Sequence, residues 1–209
     1  ERPFRVKEIL RSRLPLVQIL AYFLKRSGTT RGEKNLQSNQ NKKLRVGVVG
    51  AGLMGSGISQ VSAQCGLSVM MVDISDEALD RGRAAINGSL DRLLKKDKIS
   101  PADKAAALAR ITASTDYAVL EDADLVMEAA TENVGIKLQI LRRVEELVAE
   151  HAVIASNTSS ISITQLAAPL KRPERFVGVH FFNPVPMMAL VEVIRGLQTG
   201  DAAHGTCLD

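Results

Sequence analysis

Three glycines at positions 50, 52 and 55 directly follow the apolar run Leu44-Arg-Val-Gly-Val-Val-Gly50, and no other feature restricts the fold as sharply. Gly50-Ala-Gly52-Leu53-Met54-Gly55 is a G-x-G-x-x-G, a weak signal alone because glycine turns are common. Its context makes it specific. The run before it reads as a buried strand, Leu53 to Cys65 reads as a helix, and a second apolar run, Leu67 to Asp73, ends in an acid eighteen residues beyond Gly55. Gly50 permits a tight turn, Gly52 lets the backbone approach a pyrophosphate, and Gly55 lets the helix pack closely on the sheet. The helix start, with Leu53 and Met54, offers unpaired N–H groups and a positive dipole end to phosphates. Asp73 would accept hydrogen bonds from ribose hydroxyls and repel a 2′-phosphate, which favours NAD over NADP. The alternative is a structural glycine turn without a ligand.

Further apolar runs follow at Leu125–Glu128, Val153–Ser156, Phe176–Phe181 and Ala189–Ile194. Between them, Leu79, Ile86, Leu90, Leu93 and Leu94 fall at helical spacing, as do Ile136, Ile140, Leu141, Val144 and Leu147. Strands alternating with helices predict an α/β fold: a Rossmann-type, doubly wound, mostly parallel sheet with helices on both faces, over residues 44–195. Residues 1–43 read as a basic leader, a helix from about Phe4 to Lys25 broken near Pro15, then a polar linker from Ser27 to Lys43. The leader holds eleven Lys/Arg against three Asp/Glu, so the formal net charge of +4 belongs to it and not to the acidic remainder. With no Trp and 3% aromatics, the chain lacks the stacking platforms of single-strand nucleic-acid binders, so no nucleic-acid partner is expected. No apolar run reaches the roughly 18 to 20 residues of a membrane-spanning helix. Two cysteines, Cys65 and Cys207, cannot make a disulfide framework, which points to a reducing compartment. A cytoplasmic location follows, with the mitochondrial matrix as the alternative if the leader is a targeting segment.

A glycine-loop fold does not name a reaction. Neither Tyr22 nor Tyr117 has a Lys four residues on, as short-chain alcohol dehydrogenases require, and two Cys with three His hardly supply a zinc site. Removing hydride from an alcohol still needs a base for the hydroxyl proton, and His is the usual one. His151 follows a Glu-rich helix and His204 lies in a polar tail, whereas His180 ends an apolar strand. The segment Asn183-Pro-Val-Pro186 then turns the chain, and the strand after it carries Glu192. If the two strands pair about that turn, His180 and Glu192 face one another, and the carboxylate fixes the ring's tautomer. The alternative is an edge His and a solvent-facing Glu unrelated to each other. Ser156-Asn-Thr-Ser-Ser160 follows a strand at its carboxyl end, where its hydroxyls either hold a substrate oxygen or cap the next helix. Glu128-Ala-Ala-Thr-Glu132 occupies the same kind of position and suggests contact with a cofactor or a base.

Taken in order, Gly50-Ala-Gly-Leu-Met-Gly55, Glu128-Ala-Ala-Thr-Glu-Asn133, Ser156-Asn-Thr-Ser-Ser160, His180-Phe-Phe-Asn-Pro-Val-Pro186 and Leu190-Val-Glu-Val-Ile194 resemble the 3-hydroxyacyl-CoA dehydrogenases from about Leu44 to Thr199, most closely the bacterial short-chain members. The resemblance implies NAD-dependent oxidation of the 3-hydroxyl of a 3-hydroxyacyl-CoA with no metal: His180 as general base, Glu192 as its partner, and Ser159 on the reacting oxygen. It implies NAD contacts from Asp73, Glu132, Lys137, Ser159 and Asn183, and coenzyme A contacts from Ser89 and Lys96. Without the resemblance, the helix carrying Ser89, Arg92, Lys95, Lys96 and Lys98 reads as a solvated face. It further implies a helical C-terminal domain that makes the homodimer contacts, with residues 196–209 as its start and the rest largely absent from this sequence. The basic leader has no counterpart in the short members, although fused multifunctional members place other segments before this domain. The competing functions are a related hydroxyacid or sugar-acid dehydrogenase, and a binding-only dinucleotide module.

Overall fold

Strand β2 (Arg45–Val49) has four consecutive buried residues, because it lies mid-sheet with helices over both faces. The computed structural model describes residues 7–10 and 44–208. Around β2 the chain adds β1 (Lys7–Leu10), β3 (Ser68–Val72), β4 (Ile111–Ser114), β5 (Leu125–Glu128), β6 (Val153–Ser156), β7 (Phe176–Phe181) and β8 (Val191–Ile194). The helices are α1 (Leu53–Gln64), α2 (Asp76–Leu94), α3 (Pro101–Ala109), α4 (Val134–Leu147), α5 (Ile163–Ala167) and α6 (Asp201–Leu208). Strand order is β1-β8-β7-β6-β5-β2-β3-β4, parallel from β7 to β4, with β8 antiparallel to both β7 and β1. The order reverses between β2 and β5, which opens a crevice at their carboxyl ends.

One core joins the sheet to α1, α2 and α3 through Val48, Ile58, Met71, Ile86 and Leu90; the other joins it to α4 and α5 through Val126, Leu141, Val144 and Leu166. Each such side chain contributes about 1.5 to 3 kcal/mol on burial, so the two sets together hold both helical layers to the sheet. Helix starts follow local chemistry. Ser75 caps α2 by accepting from the Ala78 N–H, and Ser100 with Asp103 forms a reciprocal capping box before Pro101. No helix among the described residues is long and apolar enough to cross a membrane.

Three sequence expectations change. Lys7–Leu10 is a strand on the edge of β8 and not part of a helix, since an open β8 edge offers ladder partners that an isolated helical turn lacks. The rest of the expected leader helix and linker lies outside the described residues. Ile111–Ser114, unread as a strand because it is short and half polar, extends the sheet beside β3. His204 sits in α6, half-buried, rather than in a polar tail; α6 packs on the sheet through Ala203 and Cys207.

Candidate active site

The turn from β2 into α1 depends on two glycines. Gly50 has φ of 106°, and a Cβ there would lie 2.7 Å from Ala129 O and Ala130 Cα. A Cβ on Gly55 would lie 1.7 Å from Gly50 O, so the helix can approach the turn only without one. Gly52, by contrast, has nothing within 4 Å of that position, and no side chain caps the start of α1. That combination of open space and unpaired helix N–H groups fits a pyrophosphate. Asp73, just past β3, accepts from the Ala51 N–H at 2.6 Å and the Ile74 N–H at 2.7 Å. It thus holds the glycine turn while its remaining lone pairs face the cleft.

This cleft runs along Gly50, Gly52, Leu53, Asp73, Arg81 and Ala130. A groove on the other side of the α1 start is walled by α2 and the 183–187 turn, and brings Ser89, Arg92 and Lys96 together with Asn183. Leu53, Ile74 and Met187 are 71%, 89% and 77% exposed, and all three line these two depressions. Apolar surface left open there suits ligands better than solvent.

At the carboxyl end of β7 and the amino end of β8, His180 and Glu192 are directly opposite in the antiparallel register. His180 Nδ1 lies 2.9 Å from Glu192 Oε2, with the side chains 16% and 12% exposed. A carboxylate only accepts, so Nδ1–H donates and Nε2 keeps its lone pair. The His180 ring also packs on Phe182 at a centroid distance of 4.5 Å. Beside it, the loop after β6 is tied down by neighbours: Asn157 Oδ1 accepts from the Phe181 N–H at 2.8 Å, and Thr158 Oγ1 donates to Glu132 Oε2 at 2.7 Å. Ser162, not the Ser156–Ser160 segment, caps α5. Ser159 is exposed between these anchors.

Several expected residues sit elsewhere than on a ligand surface. Met54 packs on the core, leaving only its backbone N–H near the turn. Lys137 is 1% exposed and ion-paired with Glu128, which is itself fully buried. A chain segment read only as strand ends could not reveal that these two charges meet. Arg81, Ser75 and Ala130 line the dinucleotide cleft and were missed; the available signal was that α2 begins immediately after Asp73. His151 is exposed. Burial pushes the Cys65 and Cys207 thiols up to about 12, so neither is a thiolate nucleophile at neutral pH. No group of three or more metal-ligating side chains occurs among the described residues.

A doubly wound sheet with a glycine turn, an acid closing the next strand and a His–Glu pair on the same edge defines a dinucleotide-binding protein of the Rossmann class. The sequence profile of the 3-hydroxyacyl-CoA dehydrogenase NAD binding domain matches residues 45–209. The 3-hydroxybutyryl-CoA dehydrogenase of Bradyrhizobium diazoefficiens is 48% identical over 158 residues, 76% of this chain and 54% of that protein. The crystal structure of (S)-3-hydroxybutyryl-CoA dehydrogenase from Ralstonia eutropha superposes with a TM-score of 0.78 at 58% identity, covering 79% of this chain and 59% of that one. The fatty acid oxidation complex subunit alpha of Acinetobacter baumannii is 40% identical over 188 residues, 90% of this chain and 26% of that protein. The chain belongs to the 3-hydroxyacyl-CoA dehydrogenase family and carries its NAD-binding domain. It spans little more than half the length of the short relatives it matches.

Proposed function

We propose that this chain serves the oxidation of the 3-hydroxyl of a short-chain 3-hydroxyacyl-CoA, 3-hydroxybutyryl-CoA foremost, to the 3-oxoacyl-CoA. The observation that carries the reading is the 2.9 Å His180–Glu192 contact on the strand edge that also bears the dinucleotide cleft. His180 Nε2 takes the hydroxyl proton, Glu192 holds the ring and stabilises the imidazolium, and Ser159 donates to the reacting oxygen. NAD, when bound, supplies the acceptor for the hydride leaving C3. The glycine turn and the α1 start hold its pyrophosphate, Asp73 its ribose, and Glu132 and Asn183 border the nicotinamide end. Ser89 and Lys96 face the phosphates of coenzyme A, whose chain lies along the groove beside Asn183.

A second setting is supported by the Acinetobacter match. Its 188 residues exceed the 166 from Leu44 onward, so it takes in part of the leader. The domain would then act within a longer chain like that subunit, with the same chemistry.

NADH formation with 3-hydroxybutyryl-CoA tests the function. Lys96→Ala should raise KM for the thioester severalfold, more at low salt than at high, and leave NAD affinity unchanged. NADH formed from a free hydroxyacid but not from the thioester would favour the hydroxyacid dehydrogenase reading; NAD binding with neither substrate turned over would leave a binding module.

Cofactor choice gives a separate expectation. NAD should bind more tightly than NADP, and Asp73→Ala should narrow the gap. Because Asp73 also holds the Ala51 N–H, the change should cost NAD itself about ten- to a hundredfold, as for a lost charged hydrogen bond. Calorimetry with both dinucleotides reads both effects. Equal affinities in the unmodified chain would refute the assignment.

A further inference from the structure

Glu128 ends β5 at the switch point, beside Val49 of β2 on one side and Ser156 of β6 on the other. It is fully buried, as is Lys137 on the first turn of α4. The Lys137 ammonium meets Glu128 Oε2 and donates to Ser156 Oγ at 3.2 Å, and Ser156 Oγ donates to the same Glu128 oxygen at 2.8 Å. The other oxygen, Oε1, accepts from the Ala130 N–H at 2.9 Å. The proton and hydride chemistry proposed above uses none of these atoms. Burying an ion pair seldom gains stability over apolar packing of the same volume, so its contribution here is sought in geometry.

Two loops hang from this pair. The Oε1 bond turns Ala129–Ala130 back over the strand end, where it abuts Gly50 and walls the dinucleotide cleft. On the other side, Ser156 Oγ accepts from the Thr158 N–H at 3.4 Å, and Asn157 N donates to Glu128 O at 2.9 Å, so the start of the Ser159 loop hangs from Glu128 by side chain and backbone. We propose that Glu128, with Lys137 and Ser156, is a positioning residue that sets the spacing between the cofactor wall at Ala130 and the hydroxyl loop at Ser159. The proposal rests on the reading of the cleft as an NAD site.

The test uses the full chain with Ser156→Ala, which keeps the ion pair, and with Glu128→Gln combined with Lys137→Met, which removes both charges. NADH affinity of the unmodified chain, measured first, judges the cofactor reading alone. Amide chemical shifts in the ligand-free proteins judge the positioning alone. Ser156→Ala should move the Ala130 amide, to which Ser156 makes no bond, and weaken NADH binding three- to tenfold. The double variant should melt cooperatively, move the Ser159 amide and bind NADH at least tenfold more weakly. A lower melting temperature with NADH affinity and cross-loop amides unchanged would mean a purely structural pair and overturn the proposal. Should the double variant not fold, Ser156→Ala decides: an unmoved Ala130 amide overturns it.

Discussion

His180→Gln is expected to lower kcat for 3-hydroxybutyryl-CoA oxidation by about a hundred- to ten-thousandfold, the usual contribution of a positioned general base. That is about 2.7 to 5.5 kcal/mol of barrier. Gln keeps the size and a hydrogen-bonding amide but cannot take the hydroxyl proton. NAD affinity should stay within about threefold, since His180 belongs to the strand edge beyond the cofactor cleft, whose lining does not include it. Glu192→Gln removes the acceptor charge that holds Nδ1–H at 2.9 Å and that, on the proposed mechanism, would stabilise the imidazolium. It should also cost turnover heavily, while the double change should cost little more than His180→Gln, because residues acting as one unit are non-additive. Steady-state rates paired with calorimetry for NAD separate the effects. Additive losses would show that the two residues work independently, and an unchanged kcat in His180→Gln would place the base elsewhere.

The parts legible in the sequence are those fixed by local order. The glycine turn, the acid after β3 and the His180–Glu192 pairing each follow from spacing along one strand–turn–helix or strand–turn–strand unit. A hairpin register is set by its turn, so the symmetry about Pro186 was enough to place two side chains opposite each other. What escaped depends on contacts between segments distant in sequence. Glu128 and Ser156 are adjacent strand ends only because β5 lies beside β6, and Lys137 reaches them only because α4 packs on that face. From sequence alone, a charge at a strand end points equally toward a ligand and toward the core. The strand at Lys7–Leu10 escaped for the same reason: its partner β8 lies some 180 residues on, and four residues, Lys-Glu-Ile-Leu, carry no periodicity that announces an edge.

Two glycines of the turn, Gly55 structural and Gly52 left open for a ligand, should separate cleanly on substitution by Ala. Gly55→Ala places a Cβ at 1.7 Å from Gly50 O, against backbone that is itself held by the Gly50 N–H to Val72 O bond at 2.7 Å. Neither side yields easily: Gly50 is pinned between β3 and Ala129, and α1 is seated in the core through Ile58 and Val61. Relief requires moving the helix or breaking the turn, so the cost should exceed the common overpacking range and reach about 3 kcal/mol or more. Against a total stability of about 5 to 15 kcal/mol, that shows as a large fall in melting temperature. Gly52→Ala is the opposite case. Its φ of −68° and ψ of −167° suit any residue, and its Cβ would meet nothing, so the melting temperature should barely move. The added methyl would stand where the pyrophosphate approaches, and NADH affinity should fall at least about tenfold, equivalent to 1.4 kcal/mol. Melting curves and NADH titrations of the two variants make the comparison. If Gly55→Ala melts with the unmodified chain, the turn is softer than its contacts indicate; if Gly52→Ala binds NADH undiminished, the phosphates do not lie over Gly52.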